Sequence, residues 1–424
     1  MMTTTKTRQI TGSSRLRLVA AVAIGAALFL AGRGPNRIAV HAQTGCGPSA
    51  NAVVQENCLP GNSDWDLGPS GNDGAIQGYA ADISVDKGQT VEFKIKTDAT
   101  SFRIEIFRLG YYGGLGARKI QSSDLAGPLP QPDCDVSQAA TTGLVDCGNW
   151  STSATWSTAG QTSGIYLAKL TRLVPAGSGA SHIVFIVRDD AGASDVLFQT
   201  SDATWQAYNH FGGASLYCDG PLVNSAAEYS CATRAAKVSY NRPFDTRDHD
   251  PQSWLFNAEY PMVRWLEANG YNVSYFTGVD ADRSGALIKT HKAYLSVGHD
   301  EYWSGNQRAN VEAARDGGVN LAFFSGNEVF WKTRWESSQF GAQPYRTLVS
   351  YKETLNNAKI DPSPEWTGTW RDPRFSPPSD GGRPENGGLT GPVRPKPYTS
   401  AKMFRSRARY AVDNGLAVSD QGQT

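Results

Sequence analysis

Residues 293–328 read AYLSVGHDEYWSGNQRANVEAARDGGVNLAFFSGNE, and this stretch decides the fold of the second half of the chain. The run from Ala293 to Val297 is short and apolar, which predicts a buried strand. Gly305 to Asp316 predicts a helix that is ended by a Gly-Gly pair, and Val319 to Phe324 predicts a second buried strand. A strand, a helix and a strand in succession are typical of a parallel sheet with helices on its faces.

The same order of elements begins farther upstream. Asp195 to Thr200 predicts a strand, Trp254 to Asn269 a helical stretch that restarts at Pro261, and Tyr271 to Thr277 the next strand. Residues 193–370 therefore predict a doubly wound α/β domain of flavodoxin or glutamine-amidotransferase type. Ligands of such sheets bind beyond the carboxyl ends of the strands.

The preceding part of the chain has a different pattern. Between Gly78 and Asp190, segments such as SFRIEIFRLG and SHIVFIVRDD alternate apolar and polar residues between Gly-rich turns. Alternation buries one face of each strand, so residues 78–192 predict an immunoglobulin-like β-sandwich. Residues 43–77 are interpreted as a Cys-bearing linker and residues 371–424 as a Pro/Gly-rich and basic tail. The fold class is α/β plus all-β.

A glycine-rich segment, GYYGGLG at 110–116, superficially resembles a phosphate-binding loop. Its glycines do not have the GxGxxG spacing, and no clear helix follows. A turn is the favoured interpretation.

The composition excludes several classes of protein. The chain has 424 residues, of which 40% are hydrophobic and 10% aromatic, so it is neither disordered nor collagen-like nor a coiled coil. Lys and Arg number 40 and so do Asp and Glu, which gives no electrostatic reason to expect a nucleic-acid partner. At about 150 residues per domain, two or three domains are expected.

Residues 1–42 have the pattern of an export signal. Basic residues precede an apolar run from Leu18 to Gly32, and Val40-His-Ala42 offers a cleavage site. The run has 15 residues, fewer than the ~20 that span a bilayer. Because Arg33 and Arg37 follow it closely, an uncleaved N-terminal anchor stays open as the alternative. We expect a secreted or cell-envelope protein that has no membrane association after cleavage.

Six cysteines support an oxidising compartment. They fall as three near neighbours, separated by 12, 13 and 13 residues: Cys46/Cys58, Cys134/Cys147 and Cys218/Cys231. Local disulfide pairing is expected among the 15 possible connectivities. A zinc site is the alternative, but no pair has the C-x2-C spacing with which two thiolates bind one ion.

Polar side chains follow two of the predicted strands. His299, Asp300 and Glu301 come directly after Gly298, and Asn327 with Glu328 follows the strand that ends at Phe324. In a turn, the first three side chains can converge as metal ligand or general base, whereas on a continuing strand Asp300 would face away. This concentration of polar groups predicts a functional site.

A structural role is the alternative for each of these residues taken singly. Ser304 ahead of Gln307 fits a helix capping box. Tyr208 and Tyr240 are ordinary packing aromatics by their spacing alone. Residues 245–250 (DTRDHD) resemble a metal loop, but a solvated turn is favoured because the Gly and terminal Glu of an EF-hand are missing.

Five motifs together resemble one family. They are TWQAYN at 204–209, VSYNRPF at 238–244, the Trp254–Glu267 run, VGHDEYWS at 297–304 and GVNLAFFSGNEVFWK at 318–332. Together these motifs are similar to the large (beta) subunit of N,N-dimethylformamidase. The resemblance covers about Gly78 to Trp370.

The resemblance implies a mononuclear ferric iron, Fe3+, held by two tyrosinates and one glutamate. Carried over by motif, the metal ligands would be Tyr208, Tyr240 and Glu301. Phenolate and carboxylate oxygens are hard ligands that suit ferric iron. His299 would be a hydrogen-bond partner or proton shuttle, and Asn327 would orient the substrate or stabilise an oxyanion.

Two functions from different classes follow. The first is an exported iron-dependent hydrolase that cleaves a C–N amide bond of a small substrate with metal-activated water; assembly into a homo-oligomer stays open. The alternative is a non-catalytic secreted surface protein that binds carbohydrate or polymer through aromatic surfaces. Cysteine-nucleophile amidotransferase chemistry is disfavoured, because His299 follows Gly298 at the turn where a cysteine would be needed.

Overall fold

The structure is a computed structural model, and it describes residues 45–67, 74–175, 179–213, 215–217, 234–246, 255–353, 359–372 and 374–375. The predicted signal peptide, Cys218, Cys231, residues 247–250 and most of the predicted tail lie outside these ranges. Within the described ranges, no helix is long and apolar enough to cross a membrane.

Two sheets form the β-rich part of the chain. Their strands are β1 (Ile76–Ala80), β2 (Ser84–Asp86), β3 (Thr90–Thr97), β4 (Ser101–Leu109), β5 (Ala117–Ala126), β6 (Ala154–Ser157), β7 (Gly164–Val174) and β8 (Ala180–Arg188). The smaller sheet has the order β1-β3-β6 and the larger one β2-β8-β7-β4-β5. Neighbouring strands are antiparallel except for β2 and β8.

The two sheets share one hydrophobic core. Phe93 and Ile95 of the smaller sheet pack in the same cluster as Phe102, Tyr166 and Phe185 of the larger sheet. Along β3, buried residues alternate with more exposed ones, as the alternation in the sequence predicts. Burial of these inward-facing side chains is the main stabilising contribution to this part of the chain.

A four-stranded parallel sheet forms the centre of the second part. It has the order β11-β9-β12-β14 and is built from β9 (Val196–Gln199), β11 (Val273–Phe276), β12 (Ala293–Gly298) and β14 (Asn320–Ser325). Every pair in it is parallel. The strands predicted from the sequence are confirmed to within two residues, and so is the mixed α/β content.

Six α-helices lie in the described ranges: α1 (Ala52–Asn57), α2 (Ala139–Thr142), α3 (Asp202–Tyr208), α4 (Glu259–Ala268), α5 (Gly278–Arg283) and α6 (Gly305–Asp316). The core beside the parallel sheet contains Ala281 of α5 and Val311 of α6 together with Tyr294 and Phe323 of the strands. The N-cap of α6 is confirmed, because the Ser304 hydroxyl accepts from the Gln307 backbone N–H at 3.1 Å.

A third group of strands was not predicted. It comprises β10 (Lys237–Ser239), β13 (Tyr302–Ser304), β15 (Trp331–Glu336), β16 (Thr347–Val349) and β17 (Gly368–Thr369). The order is β10-β16-β15-β13, and β17 also pairs with β15. Four of its five strands have three residues or fewer, and such short strands carry too little periodicity to be recognised in a sequence. This sheet continues from the carboxyl ends of β12 and β14.

Two disulfides confirm the predicted local pairing. Cys46 bonds to Cys58 across α1, and Cys134 bonds to Cys147. Each closes a short loop, which restricts the unfolded chain.

A buried ion pair joins the two parts of the chain. Arg108 of β4 and Glu267 of α4 are both fully buried, with Nη2 to Oε1 at 2.8 Å and Nη1 to Oε2 at 3.0 Å. The Tyr275 hydroxyl donates to the same carboxylate at 2.8 Å. The pair therefore ties the large β-sheet to the parallel sheet.

The glycine-rich segment at 110–116 is a turn, as expected. Residues Tyr112–Gly114 form one 3₁₀ turn, and Gly113, Gly114 and Gly116 have φ values of 65°, 97° and 91°. At Gly110 a Cβ would collide with Glu267 Oε2, so the turn packs directly against the buried ion pair.

Candidate functional site

Tyr208 is placed by the first strand of the parallel sheet. Strand β9 ends at Gln199, and helix α3 follows it at the carboxyl edge of the sheet. Tyr208 is the last residue of α3, so its side chain leaves the helix end beyond the strands. Its hydroxyl donates to Glu301 Oε2 at 3.3 Å.

Glu301 reaches the same place from β12. The strand ends at Gly298, whose φ of 97° turns the chain sharply, and a Cβ there would meet Ser201 Oγ at 2.8 Å. The backbone N–H of Glu301 donates to Thr204 Oγ1 of α3 at 3.1 Å. Glu301 is buried, with 4% of its surface exposed.

Tyr217 also contacts Glu301, although it is not among the residues predicted from the sequence. Its hydroxyl donates to Glu301 Oε2 at 2.7 Å, and its ring stacks on that of Tyr208 with centroids 4.2 Å apart. The Trp331 indole N–H donates to Glu301 Oε1 at 3.1 Å. Tyr217 lies in a loop without periodicity, so its only signal was a tyrosine close to Tyr208 in sequence.

His299 and Asn327 complete the group. His299 Nε2 lies 3.5 Å from Glu301 Oε2, and Asn327 Nδ2 lies 3.3 Å from the same imidazole nitrogen. Asn327 has a φ of 53°, a left-handed conformation that follows the end of β14. The predicted convergence of the two strand ends is therefore observed for these side chains. We name the group of Tyr208, Tyr217, His299, Glu301 and Asn327 the Glu301 cluster.

Tyr240 has a different partner from the one that the resemblance implies. Its hydroxyl donates to Asp202 Oδ2 at 2.9 Å, and the structure shows no hydrogen bond from it to Glu301. Burial raises the pKa of Tyr240 well above its usual value, and the Asp202 charge raises it further. The resemblance could identify a tyrosine by its motif but could not determine the direction of its side chain.

Asp300 points away from the cluster. Its Oδ2 accepts from Gln199 Nε2 at 2.7 Å and from Ser296 Oγ at 2.6 Å, inside the sheet. Burial raises the pKa of Asp300 well above its usual value. Its side chain supports the strand ends and does not face the cluster.

Three cationic side chains lie around the cluster. Lys352 Nζ is 3.8 Å from the centroid of the Tyr217 ring and 4.5 Å from that of Trp331. Burial lowers the pKa of Arg371 to about 10, while its attraction to Glu301 raises it. Burial also lowers the pKa of Arg234, whereas its electrostatic interaction with Tyr302 and Tyr217 raises the pKa. The cations favour negative charge on the oxygens of the cluster.

The donor set of the cluster fits a hard metal ion. Two phenol oxygens and a carboxylate converge, and each becomes a hard anionic ligand when it loses its proton. Without a cation, burial and the Glu301 charge raise the pKa of Tyr217 well above its usual value. Among the described residues, no group of three His, Cys, Asp or Glu side chains is arranged for a metal. A metal in this part of the chain would therefore depend on the tyrosines.

The fold and the cluster define a class of protein in which a β-rich part precedes a parallel α/β part, with oxygen-rich side chains at the strand ends. Comparison with protein families gives a match to "N,N-dimethylformamidase beta subunit-like, C-terminal" over residues 103–415. Because the match covers most of the chain, the chain belongs to this family. A comparison with curated proteins gives no match.

Proposed function

We propose that this chain is an exported iron-dependent hydrolase that cleaves a C–N amide bond of a small substrate. The family is named for N,N-dimethylformamidase, an amide hydrolase, which supports an amide as substrate. The observation that carries the proposal is the placement of two tyrosine hydroxyls, 3.3 and 2.7 Å from the same oxygen of Glu301.

In this proposal, ferric iron is held by Tyr208, Tyr217 and Glu301. Tyr217 takes the place that the motif resemblance assigns to Tyr240, because the Tyr240 hydroxyl donates to Asp202. The metal would supply Lewis-acid polarisation of the amide carbonyl. Lys352, against the Tyr217 ring, would stabilise the ionised phenol.

The remaining side chains of the cluster have separate roles. His299 Nε2 accepts a proton from the attacking water and returns it to the amine that leaves. Asn327 Nδ2 lies 3.3 Å from that nitrogen, and with substrate bound it donates instead to the oxygen of the carbonyl as negative charge develops there, which leaves the Nε2 lone pair available for the proton. One water is consumed, the C–N bond breaks, and a carboxylic acid and an amine are formed.

The same proposal includes the domain types and the cellular location of the protein. We infer that the two-sheet part is an immunoglobulin-like sandwich over 78–192 and that 193–370 is a doubly wound, flavodoxin-like domain. The two disulfides support export, because such bonds persist in oxidising compartments.

The test is iron content together with hydrolysis. The full chain is purified from an export host, iron per chain is measured, and amine release from small amides such as formamides is followed. Iron near one per chain, a visible phenolate-to-iron absorption band and amine release are expected. Protein that stays colourless and inactive after iron loading would remove the hydrolase and leave the non-catalytic binding protein as the alternative.

A further inference from the structure

A cavity lies at the far end of β15, away from the Glu301 cluster. Strands β13 and β15 pair from Tyr302↔Trp331 to Ser304↔Thr333. After Ser304 the chain turns into α6, whereas β15 continues to Glu336, so one edge of β15 is left open. The gap is a cavity of about 340 Å³. Ser304 lies three residues beyond Glu301, roughly 10 Å along the strand, so the two places are separate.

One carboxylate in this cavity has no cationic partner. Asp282 is 8% exposed and accepts from the Ser304 hydroxyl, from Tyr345 and, at 3.4 Å, from Asn306 Nδ2. No Lys, Arg or His among the described residues forms an ion pair with it. Burial raises the pKa of Asp282, and the nearby charge of Glu365 raises it further. A bound cation would offset both effects.

The other charged groups of the cavity are already paired. Arg334 holds Asp361 with Nε to Oδ2 at 2.8 Å, and it contacts Glu336 at 2.7 Å. Glu365 pairs with Lys332 at 2.6 Å. The charge that is left over in the lining is therefore that of Asp282.

Two residues that line the cavity carry buried polar atoms for which the described part of the chain offers no hydrogen-bond partner. They are Thr333 Oγ1, on a residue that is 1% exposed, and Trp335 Nε1. A buried polar group without a partner costs about 1–3 kcal/mol, so a ligand group that forms a hydrogen bond with either atom would be stabilised. Thr333 Oγ1 can accept from an ammonium, and Trp335 Nε1 needs an acceptor such as a hydroxyl oxygen.

We propose that this cavity binds a small organic ammonium that carries hydroxyl groups, the chemistry of an amino sugar or an amino alcohol. The ammonium lies against Asp282 and Thr333, a hydroxyl oxygen accepts from Trp335, and the rings of Trp335 and Tyr345, 6.1 Å apart, form an aromatic wall. A cavity of this size is in the range of small-molecule sites. The inference is independent of the proposed hydrolase activity.

A comparison of the affinities for glucosamine and glucose separates recognition of the ammonium charge from recognition of the sugar. Binding to the full chain is measured by calorimetry at pH 7. Glucosamine is expected to bind at least about tenfold more tightly than glucose, and Asp282→Asn is expected to abolish that difference. Asp316→Asn, an exposed change at the other end of α6, keeps it.

A second variant keeps the proposal testable if Asp282→Asn misfolds. Trp335→Phe retains a ring and loses the N–H, so it is expected to weaken glucosamine binding several-fold with an unchanged circular dichroism spectrum. Equal binding of glucose and glucosamine would overturn the proposal, as would an absence of saturable glucosamine binding. Undiminished glucosamine binding by Asp282→Asn would do the same.

Discussion

The rings of Tyr208 and Tyr217 stack with centroids 4.2 Å apart, and both hydroxyls point to a single carboxylate oxygen. One tyrosine comes from the end of α3 and the other from the loop that follows. Each phenol O–H group donates to the buried carboxylate, which offsets part of the cost of removing these oxygens from water. In the proposed function, the same three oxygens are the ligands of the iron.

Under the proposed function, Tyr217→Phe should remove most of the bound iron and the visible absorption band, because one of the three proposed anionic ligands is lost. Tyr240→Phe is the matched control, since it removes a hydroxyl that is bonded to Asp202. Metal analysis and absorption spectra of the two variants decide between them. Loss of the band in Tyr240→Phe with retention in Tyr217→Phe would restore the ligand set implied by the motifs.

His299→Ala should lower kcat by about 10²–10⁴-fold while iron stays bound, because the variant loses a proton carrier and no ligand. Steady-state amine release and iron per chain are measured on the same preparation. His291→Ala is a suitable control, since His291 lies at the start of β12 and bonds to the Ser194 carbonyl at 2.7 Å. Iron loss in His299→Ala would instead identify the imidazole as a ligand.

Arg108→Ala should lower the free energy of unfolding by about 3–5 kcal/mol, because Glu267 would remain buried with its charge uncompensated. Arg103→Ala, on the same strand, breaks the exposed pair with Asp124 and should cause only a small change. Urea unfolding of both variants is the measurement. Equal losses of unfolding free energy in the two variants would show that the burial of an ion pair does not determine how much stability its loss removes.

Stability should fall as the pH rises from about 5 to 8. Burial raises the pKa of Glu259 from 4.5 to about 8, against three hydrogen bonds from Ser201 and Trp205. Below pH 4.5 both the folded and the unfolded chain hold the proton. Above that pH only the folded chain keeps it, so the stabilisation is lost as the pH rises through about 8.

Glu259→Gln should flatten this dependence, because the amide does not titrate. The variant loses one acceptor, so it should be less stable at pH 5 and less sensitive to pH. Unfolding midpoints at several pH values test this. Glu312→Gln, which alters a carboxylate paired with Arg308 on α6, controls for the loss of a charge. A slope in Glu259→Gln as steep as in the unchanged chain would assign the effect to other carboxylates, such as Asp202.

The four strands of the parallel sheet, helix α6, two of the local disulfides and the family were predicted from the sequence alone. The strand over 293–297 and the helix over 305–316 were recognisable because periodicity and glycine stops act over neighbouring residues. The convergence of Glu301, His299 and Asn327 followed from the rule that parallel strands end at one edge.

The partners of the tyrosines were decided only by the tertiary structure. The hydroxyls of Tyr208 and Tyr240 both leave helix or strand ends, yet one reaches Glu301 and the other Asp202. Tyr217, Arg371 and Lys352 approach the cluster from segments far apart in the chain. Such contacts depend on the packing of whole elements and on where a buried hydroxyl finds an acceptor, and neither has a local signature in a sequence.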